Sequence, residues 1–215
     1  MHSDLLIEEG SPYREKLLKL LEEEYAQERE GTHVSDLILC IREQVFRKLE
    51  PKAIDERDLV SYALGEGAHV ALQRLAEKGS AIAEREITVD GVIGTIDLFD
   101  GVPIEIKTIR SDDDSVRPFH VTQLKYYMAM TNSNVGILLY LMVNNRGRPF
   151  RFRTITLNDN ELAEVKKEIE NRAKLFNDAV SSKNPFAAPH VKKNLNLVWK
   201  CSYCKYSQKC WSRED

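Results

Sequence analysis

Apolar and polar positions alternate with a period of two along residues 91–110, GVIGTIDLFDGVPIEIKTIR, the pattern of half-buried strands. Ile96 and Leu98 point one way, Thr95 and Asp97 the other. After the Asp100-Gly101 turn, Val102, Ile104 and Ile106 oppose Glu105 and Lys107. A two-residue turn would set Asp97 opposite Ile104 and mismatch the faces. A three-residue loop over 100–102 pairs Phe99 with Pro103 and Asp97 with Glu105, which keeps both apolar sets together, and this register is the expectation. A strand at 82–89, ending in the Asp90-Gly91 turn, completes a three-stranded antiparallel meander with Glu86 on its outer strand, read as surface.

Elsewhere the period is helical. Residues 13–29 carry Leu17, Leu18, Leu20, Leu21 and Tyr25 opposite glutamates, and 31–33 break that helix. Residues 35–49 form one helix capped by Ser35, with Cys40 beside its apolar stripe and Arg42 and Arg47 facing phosphate or solvent. Residues 59–78 form another, with Leu64, Ala68, Ala71, Leu72 and Leu75 inward. Its Gly65 and Gly67, just before His69, suggest the close approach of a backbone or a ligand. Residues 121–131 place Gln123 and Tyr127 on one face. The run 135–143 is the most buried strand, residues 144–147 turn the chain, and 148–157 return as a strand in which Arg151 and Arg153 alternate with apolar residues. Asn158 and Glu161 make a capping box before the amphipathic helix of Leu162, Val165, Ile169, Ala173, Phe176 and Val180.

The chain has 215 residues, 42% hydrophobic, with net charge −3, which is enough for a core and too acidic for a generally basic nucleic-acid binder. No run is long and apolar enough to span a membrane and the first ten residues lack signal-peptide features, so a cytoplasmic protein is expected. In that compartment four cysteines favour metal or redox chemistry over disulfides.

Two candidate sites follow. Asp97 and Glu105, side by side, repel unless a cation lies between them, and their hard oxygens suit Mg²⁺ or Mn²⁺. Lys107 stands two residues on, and a neutral His69 could complete the metal site. Cys201, Cys204 and Cys210 give C-x-x-C-x5-C, and Cys40 is the only other cysteine that could make a fourth ligand. From Lys183 to Cys210 six lysines and no acid are interleaved with aromatics. Either this tail binds single-stranded nucleic acid, or its aromatics wrap a metal site and its lysines are solvated. The aspartate run 112–114 lacks calcium-loop spacing and reads as a solvated loop.

Asp97 followed by Glu105-Ile106-Lys107 resembles the PD-(D/E)XK nuclease superfamily. The ordered set SDLILC (35–40), GEGAH (65–69), GTID (94–97), EIK (105–107), QLKYY (123–127) and CSYCKYSQKC (201–210) resembles the CRISPR-associated RecB-like exonucleases, the Cas-four group. The resemblance implies an α/β fold: a restriction-endonuclease-like core with a mixed β-sheet flanked by helices, and an iron–sulfur lobe joining the N-terminal helix to the C-terminal tail. It implies one nuclease domain over 1–215, with a core at about 60–180 and the lobe at about 31–50 and 183–215. His69, Asp97, Glu105 and the Ile106 carbonyl would hold Mg²⁺ or Mn²⁺. Lys107 would act with them in catalysis, and Gln123 and Tyr127 would bind substrate. Cys40, Cys201, Cys204 and Cys210 would hold a [4Fe–4S] cluster, with zinc or [2Fe–2S] as runners-up. The implied activity is metal-dependent exonuclease digestion of single-stranded DNA, 5′ to 3′, in CRISPR prespacer processing, with the CRISPR integrase complex and homo-oligomers as possible partners. Two alternatives stand beside it: an adaptor that cuts only within the integrase complex, and a stand-alone repair or viral nuclease.

Overall fold

The structure is a computed structural model describing residues 12–27, 29–110, 115–145, 147–191 and 198–212. The expected aspartate loop at 111–114, Arg146, and the tail lysines Lys192 and Lys193 lie outside the described residues.

Among the described residues six strands form one mixed sheet: β1 (Thr32–His33), β2 (Ile82–Val89), β3 (Val92–Asp100), β4 (Val102–Ile109), β5 (Val135–Met142) and β6 (Phe150–Thr156). The meander β2–β3–β4 is antiparallel, β4 and β5 are parallel, and β5 and β6 are antiparallel. The parallel step is made by α5 (Pro118–Thr131), which crosses over one face of the sheet. The other helices are α1 (Pro12–Tyr25), α2 (Val34–Leu37), α3 (Ile41–Leu49), α4 (Glu56–Glu77), α6 (Asp159–Ser181) and α7 (Ser207–Trp211). The large core lies under α2, α3, α5 and α6, with Leu37, Val45, Leu124, Leu138 and Phe176 buried together. A smaller cluster of Leu98, Ile106 and Leu139 packs against Leu72 and Ala76 of α4 on the opposite face. The result is a sheet between helices. No helix among the described residues is long and apolar enough to cross a membrane.

The expected Phe99–Pro103 pair is present, but the turn is tighter than the expected three-residue loop, with Asp100 opposite Val102 around Gly101 (φ +70°), and the ladder does not reach the expected Asp97–Glu105 pair. The simple two-face reading does not hold. The β3–β4 ladder ends at the Leu98–Ile104 pair, while β1 pairs in parallel with Val92 and Ile93. β2 takes the other edge of β3 except at Asp97, opposite Glu84 with its φ of +47°, so β1 and β4 share one edge and leave a fork between them at residues 94–97. The chain rotates through that gap. Ile96 enters the large core and Leu98 the smaller one, although period two would put them together. Asp97 stands at the break.

Other expectations need correction. The helix expected over 35–49 is interrupted at residues 38–40, so Cys40 is the N-cap residue of α3. Arg172 of α6 bridges the break by donating to the Leu37 and Leu39 carbonyls, which the end of α2 leaves unpaired. On α4, Leu64 and Leu75 are exposed, and the helix buries Leu59 and Gln73 instead. A Cβ added at Gly65 or Gly67 would meet open space, so no backbone approaches there. The capping box of Asn158 and Glu161 is present at the start of α6.

Candidate active site

Four elements supply the site. Asp97 comes from the fork in β3, Glu105 and Lys107 from β4, His69 from α4, and Gln123 and Tyr127 from α5. Ile106 pairs with Leu139 of β5 but has no β3 partner at this level, and its amide donates to Asp97 Oδ2 at 2.7 Å, so the side chain does what the β3 strand would otherwise do. His69 Nδ1 lies 3.3 Å from Asp97 Oδ1. Gln73, one turn further along α4, donates to the Asp97 backbone carbonyl at 3.2 Å. Asp97 is therefore held on both carboxylate oxygens and on its main chain.

Glu105 is 1% exposed. Lys107 Nζ approaches its Oε1 at 2.5 Å, while Oε2 is buried without a hydrogen-bond partner. Burial raises the Glu105 pKa well above the ordinary carboxylate range, against the pull of Lys107. Burial disfavours the Lys107 ammonium too, but the Glu105 and Asp97 charges outweigh it and raise its pKa. The same contest at His69, burial against the hydrogen bond and charge of Asp97, ends with a raised pKa.

α5 forms the roof. Gln123 Nε2 donates to the Tyr127 hydroxyl at 3.1 Å. The Tyr127 ring passes so close to β3 that a Cβ at Gly94 would sit 3.0 Å from it. Burial, then the nearby Glu105 carboxylate, raises the Tyr127 pKa. The structure thus gathers His69, Asp97, Glu105, Lys107, Gln123 and Tyr127 around one fork. Ile106 lies between the two carboxylates with its side chain fully buried.

Sequence reasoning missed three supporting residues. Gln73 stands four residues after His69, on the same helical face. His120 stands three before Gln123, and its Nδ1 is 3.1 Å from the Tyr140 hydroxyl. That hydroxyl also accepts from the Arg117 amide at 3.4 Å. Burial, with Lys107 and Arg117 nearby, drives the His120 pKa down to about 3, which keeps the ring neutral. Tyr140 sits beside Lys107 in the β4–β5 register. Helical spacing from residues already singled out would have found the first two. Only the sheet register reveals Tyr140.

The cysteines form a second centre. Cys40, Cys201, Cys204 and Cys210 are all free thiols lining one small cavity, together with Glu43, Phe46, Tyr206 and His190. Burial raises the Cys40 pKa to about 11 and shifts Cys204 upward as well. Among the described residues, no three His, Cys, Asp or Glu side chains group tightly enough to hold a single metal ion, here or at the fork.

The tail lysines are engaged in tying the chain ends together. Lys200 pairs with Glu43 at 3.5 Å, Lys205 with Asp55 at 2.9 Å, and Lys209 with Glu50 at 2.5 Å. Tyr206 stacks on Phe46, with centroids 5.2 Å apart, while Trp199 and Tyr203 stay exposed. Arg42 is buried and donates to the Ala188 carbonyl, and Arg47 pairs with Glu43. Of the two readings of the tail, these contacts favour the structural one for the described lysines.

Comparison with known proteins agrees with this geometry. The chain is 29% identical to the CRISPR-associated exonuclease Cas4 of Saccharolobus solfataricus over 216 residues, which covers 90% of this chain and 95% of that one. Its fold is similar to the crystal structure of SSO0001, with a TM-score of 0.63 at 24% identity over 95% of this chain and 98% of the other. It is also similar to an alkaline exonuclease (LHK-Exo) from Laribacter hongkongensis, with a TM-score of 0.50 at 15% identity over 71% and 90%. The model of the PD-(D/E)XK nuclease superfamily matches residues 6–211, nearly the whole chain. With Asp97 and the Glu105-Ile106-Lys107 run gathered at one fork, the chain belongs to the PD-(D/E)XK nuclease superfamily and is a nuclease.

Proposed function

We propose that this nuclease is a metal-dependent exonuclease that digests single-stranded DNA 5′ to 3′ and processes prespacers in CRISPR spacer acquisition. The observation that carries the metal-dependent part is Glu105: a fully buried carboxylate with one orphaned oxygen, next to a second carboxylate. An orphaned buried oxygen is costly unless something binds it, and hard oxygen donors suit Mg²⁺ or Mn²⁺. Asp97, Glu105, the Ile106 carbonyl and His69 would hold the ion once the side chains close in on it, since they do not group that tightly as they stand. When bound, it supplies an activated water and neutralises the phosphate. The chain's own groups do the rest. Lys107 keeps a fixed positive charge where negative charge builds on the phosphate. His69 and Gln73 orient Asp97. The Gln123 amide, backed by the buried Tyr127 hydroxyl to which it donates, would meet the substrate backbone, and α5 keeps bulk water off Glu105. The exonuclease activity and the CRISPR setting rest on the similarity to the archaeal relative.

The second half of the proposal concerns Cys40, Cys201, Cys204 and Cys210. Four soft donors around one cavity fit a [4Fe–4S] cluster in kind. Such a cluster would close a lobe of about 31–50 and 183–215 onto a core of about 60–180. A cytoplasmic location, association with the CRISPR integrase complex and assembly into homo-oligomers complete the reading.

The deciding experiment uses end-labelled single-stranded DNA and anaerobically purified protein. Wild type is compared with Asp97→Ala, with Mn²⁺ and with chelator. Metal-dependent shortening from the 5′ end that is lost in the variant is the expected result. Equal metal-dependent cleavage by the variant refutes the site. Cleavage only after the integrase proteins are added moves the reading to the partner-dependent adaptor.

A further inference from the structure

A cavity of about 300 Å³ lies between the C-terminal end of α1, the connection from α3 to α4, and the tail around Tyr206. That is at the small end of ligand-site volumes. The chain as a whole has net charge −3. Yet the described residues lining this cavity include five cations, Arg29, Arg47, Lys48, Lys52 and Lys205, against two carboxylates, Asp36 and Asp58. Most of the ionic partners can be assigned. Arg47 pairs with Glu43, Lys205 pairs with Asp55 and Asp58, and Asp36 accepts the His33 amide. Arg29, Lys48 and Lys52 remain, with no carboxylate partner among the described residues. Each donates to a neutral oxygen instead: Arg29 to Ser35 Oγ at 3.0 Å, Lys48 to the Arg29 carbonyl at 2.5 Å, and Lys52 to the Lys205 carbonyl at 2.6 Å. Three like charges around one cavity repel each other and favour an anion among them.

The cavity also has aromatic walls. Tyr25 and Tyr62 meet edge to face at 5.5 Å, and Tyr62 is 43% exposed, which leaves aromatic surface for a planar ligand to pack against. Tyr62 and His69 are seven residues apart on one face of α4, roughly 10 Å along the helix axis. Arg29 is close enough to Tyr127 for its charge to act on that hydroxyl. The cavity therefore adjoins the fork without sharing its carboxylates.

We infer that this cavity is a second ligand site, which takes one phosphorylated nucleotide: phosphate on Arg29, Lys48 and Lys52, base against Tyr62. The choice of a nucleotide over another aromatic anion rests on the proposed nuclease reading. The site also gives α1 a role, because Tyr25 and Arg29 at and beyond its end form one wall. The nucleotide comes either from a strand engaged at the fork or from solution as a released mononucleotide.

The test uses the full chain in chelator, so that nothing is cut. Fluorescein-labelled oligothymidylate and thymidine 5′-monophosphate are titrated separately onto wild type and the double variant Lys48→Glu/Lys52→Glu, with circular dichroism to check folding. The expected result is affinity weakened roughly tenfold or more, and a salt dependence of oligonucleotide binding shallower by about one unit per lost phosphate contact. Weakening of the oligonucleotide alone assigns the site to the strand, and weakening of the mononucleotide alone assigns it to the released product. Unchanged affinity for both probes in a folded variant overturns the inference. Tyr62→Ala gives an independent check, since it removes the ring and leaves the charges. Binding is read without cleavage, so the site stands or falls separately from the nuclease activity.

Discussion

The fork at Asp97 and the cysteine cavity both bring ligand-forming side chains into apolar surroundings, but they are built in opposite ways. The fork takes Asp97, Glu105 and Lys107 from a single hairpin, eleven positions counted from 97 to 107, and adds groups from two helices that pack on it. Its polar groups brace one another: His69 and the Ile106 amide hold Asp97, and Lys107 holds one oxygen of Glu105. The cysteine cavity joins position 40 to positions 201–210. Its thiols are held by burial and by single contacts, such as Arg42 on the Cys210 sulfur and the Glu43 and Tyr206 amides on Cys40 and Cys204, and the pieces that carry them are tied by Arg172 and by exposed ion pairs. A site made from local strands is preorganised by the fold. A site made from the two ends of a chain needs either a ligand or many weak ties.

The largest expected effect separates the two directly. Asp97→Ala should lower metal-dependent cleavage by at least about a hundredfold to a thousandfold, with an unchanged circular dichroism spectrum, because the sheet and both cores remain. A misfolded variant would show that the fork is structural.

Next in size is Cys204→Ala. If the cysteines hold a cluster, the variant should lose visible absorbance and at least about 3 kcal/mol of stability, a fall in melting temperature of roughly 6–12 °C. A colourless wild type, purified without air, would break this side of the comparison.

Arg172→Leu removes both donors that seal the break before Cys40. Two buried carbonyls left without partners cost about 2–4 kcal/mol, read by chemical denaturation. Native-like stability would mean that water replaces the arginine.

A pH series sharpens the fork side. Glu105 and His69 both have raised pKa values in the folded chain. Each contributes stability that is fully present below its unfolded pKa and is lost as pH rises through the folded one. The metal-free protein should therefore lose melting temperature from the ordinary carboxylate range up past that of histidine. Mn²⁺ should restore more at pH 8 than at pH 5.5. Glu105→Gln should flatten the lower part of that slope and raise metal-free stability while reducing cleavage. A slope unchanged in the variant would remove Glu105 as its cause.

The smallest effect tests the tail. Lys209→Ala breaks a largely solvent-screened pair with Glu50 and should cost about 0.5 kcal/mol or less.

The parts of this picture that were legible in the sequence are the local ones. Strand period and turn signals marked β2, β3, β4 and β6, a continuous apolar run marked β5, the Phe99–Pro103 pairing followed from matching apolar faces, and the capping box marked the start of α6. The fork was not legible, because it exists only where a two-residue strand from position 32 displaces β4 from the edge of β3. Periodicity within β3 carries no record of what its neighbours do. Gln73 and His120 lay within helical reach of residues already singled out, but the groups they act on, like those held by Arg172, are distant in sequence. The tail lysines could be read either as a nucleic-acid surface or as solvated, because composition does not reveal the acidic partners at Glu43, Glu50 and Asp55.

The distance between Cys40 and Cys210 also has a consequence for biosynthesis. At ordinary rates of translation, the 170 residues separating them take on the order of ten to thirty seconds to make. By then the ribosome has already released every strand of the sheet. The nuclease core can fold while the chain is still growing, but the thiol pocket cannot close until Cys210 has emerged. Whatever fills that pocket joins a core already shaped to cut.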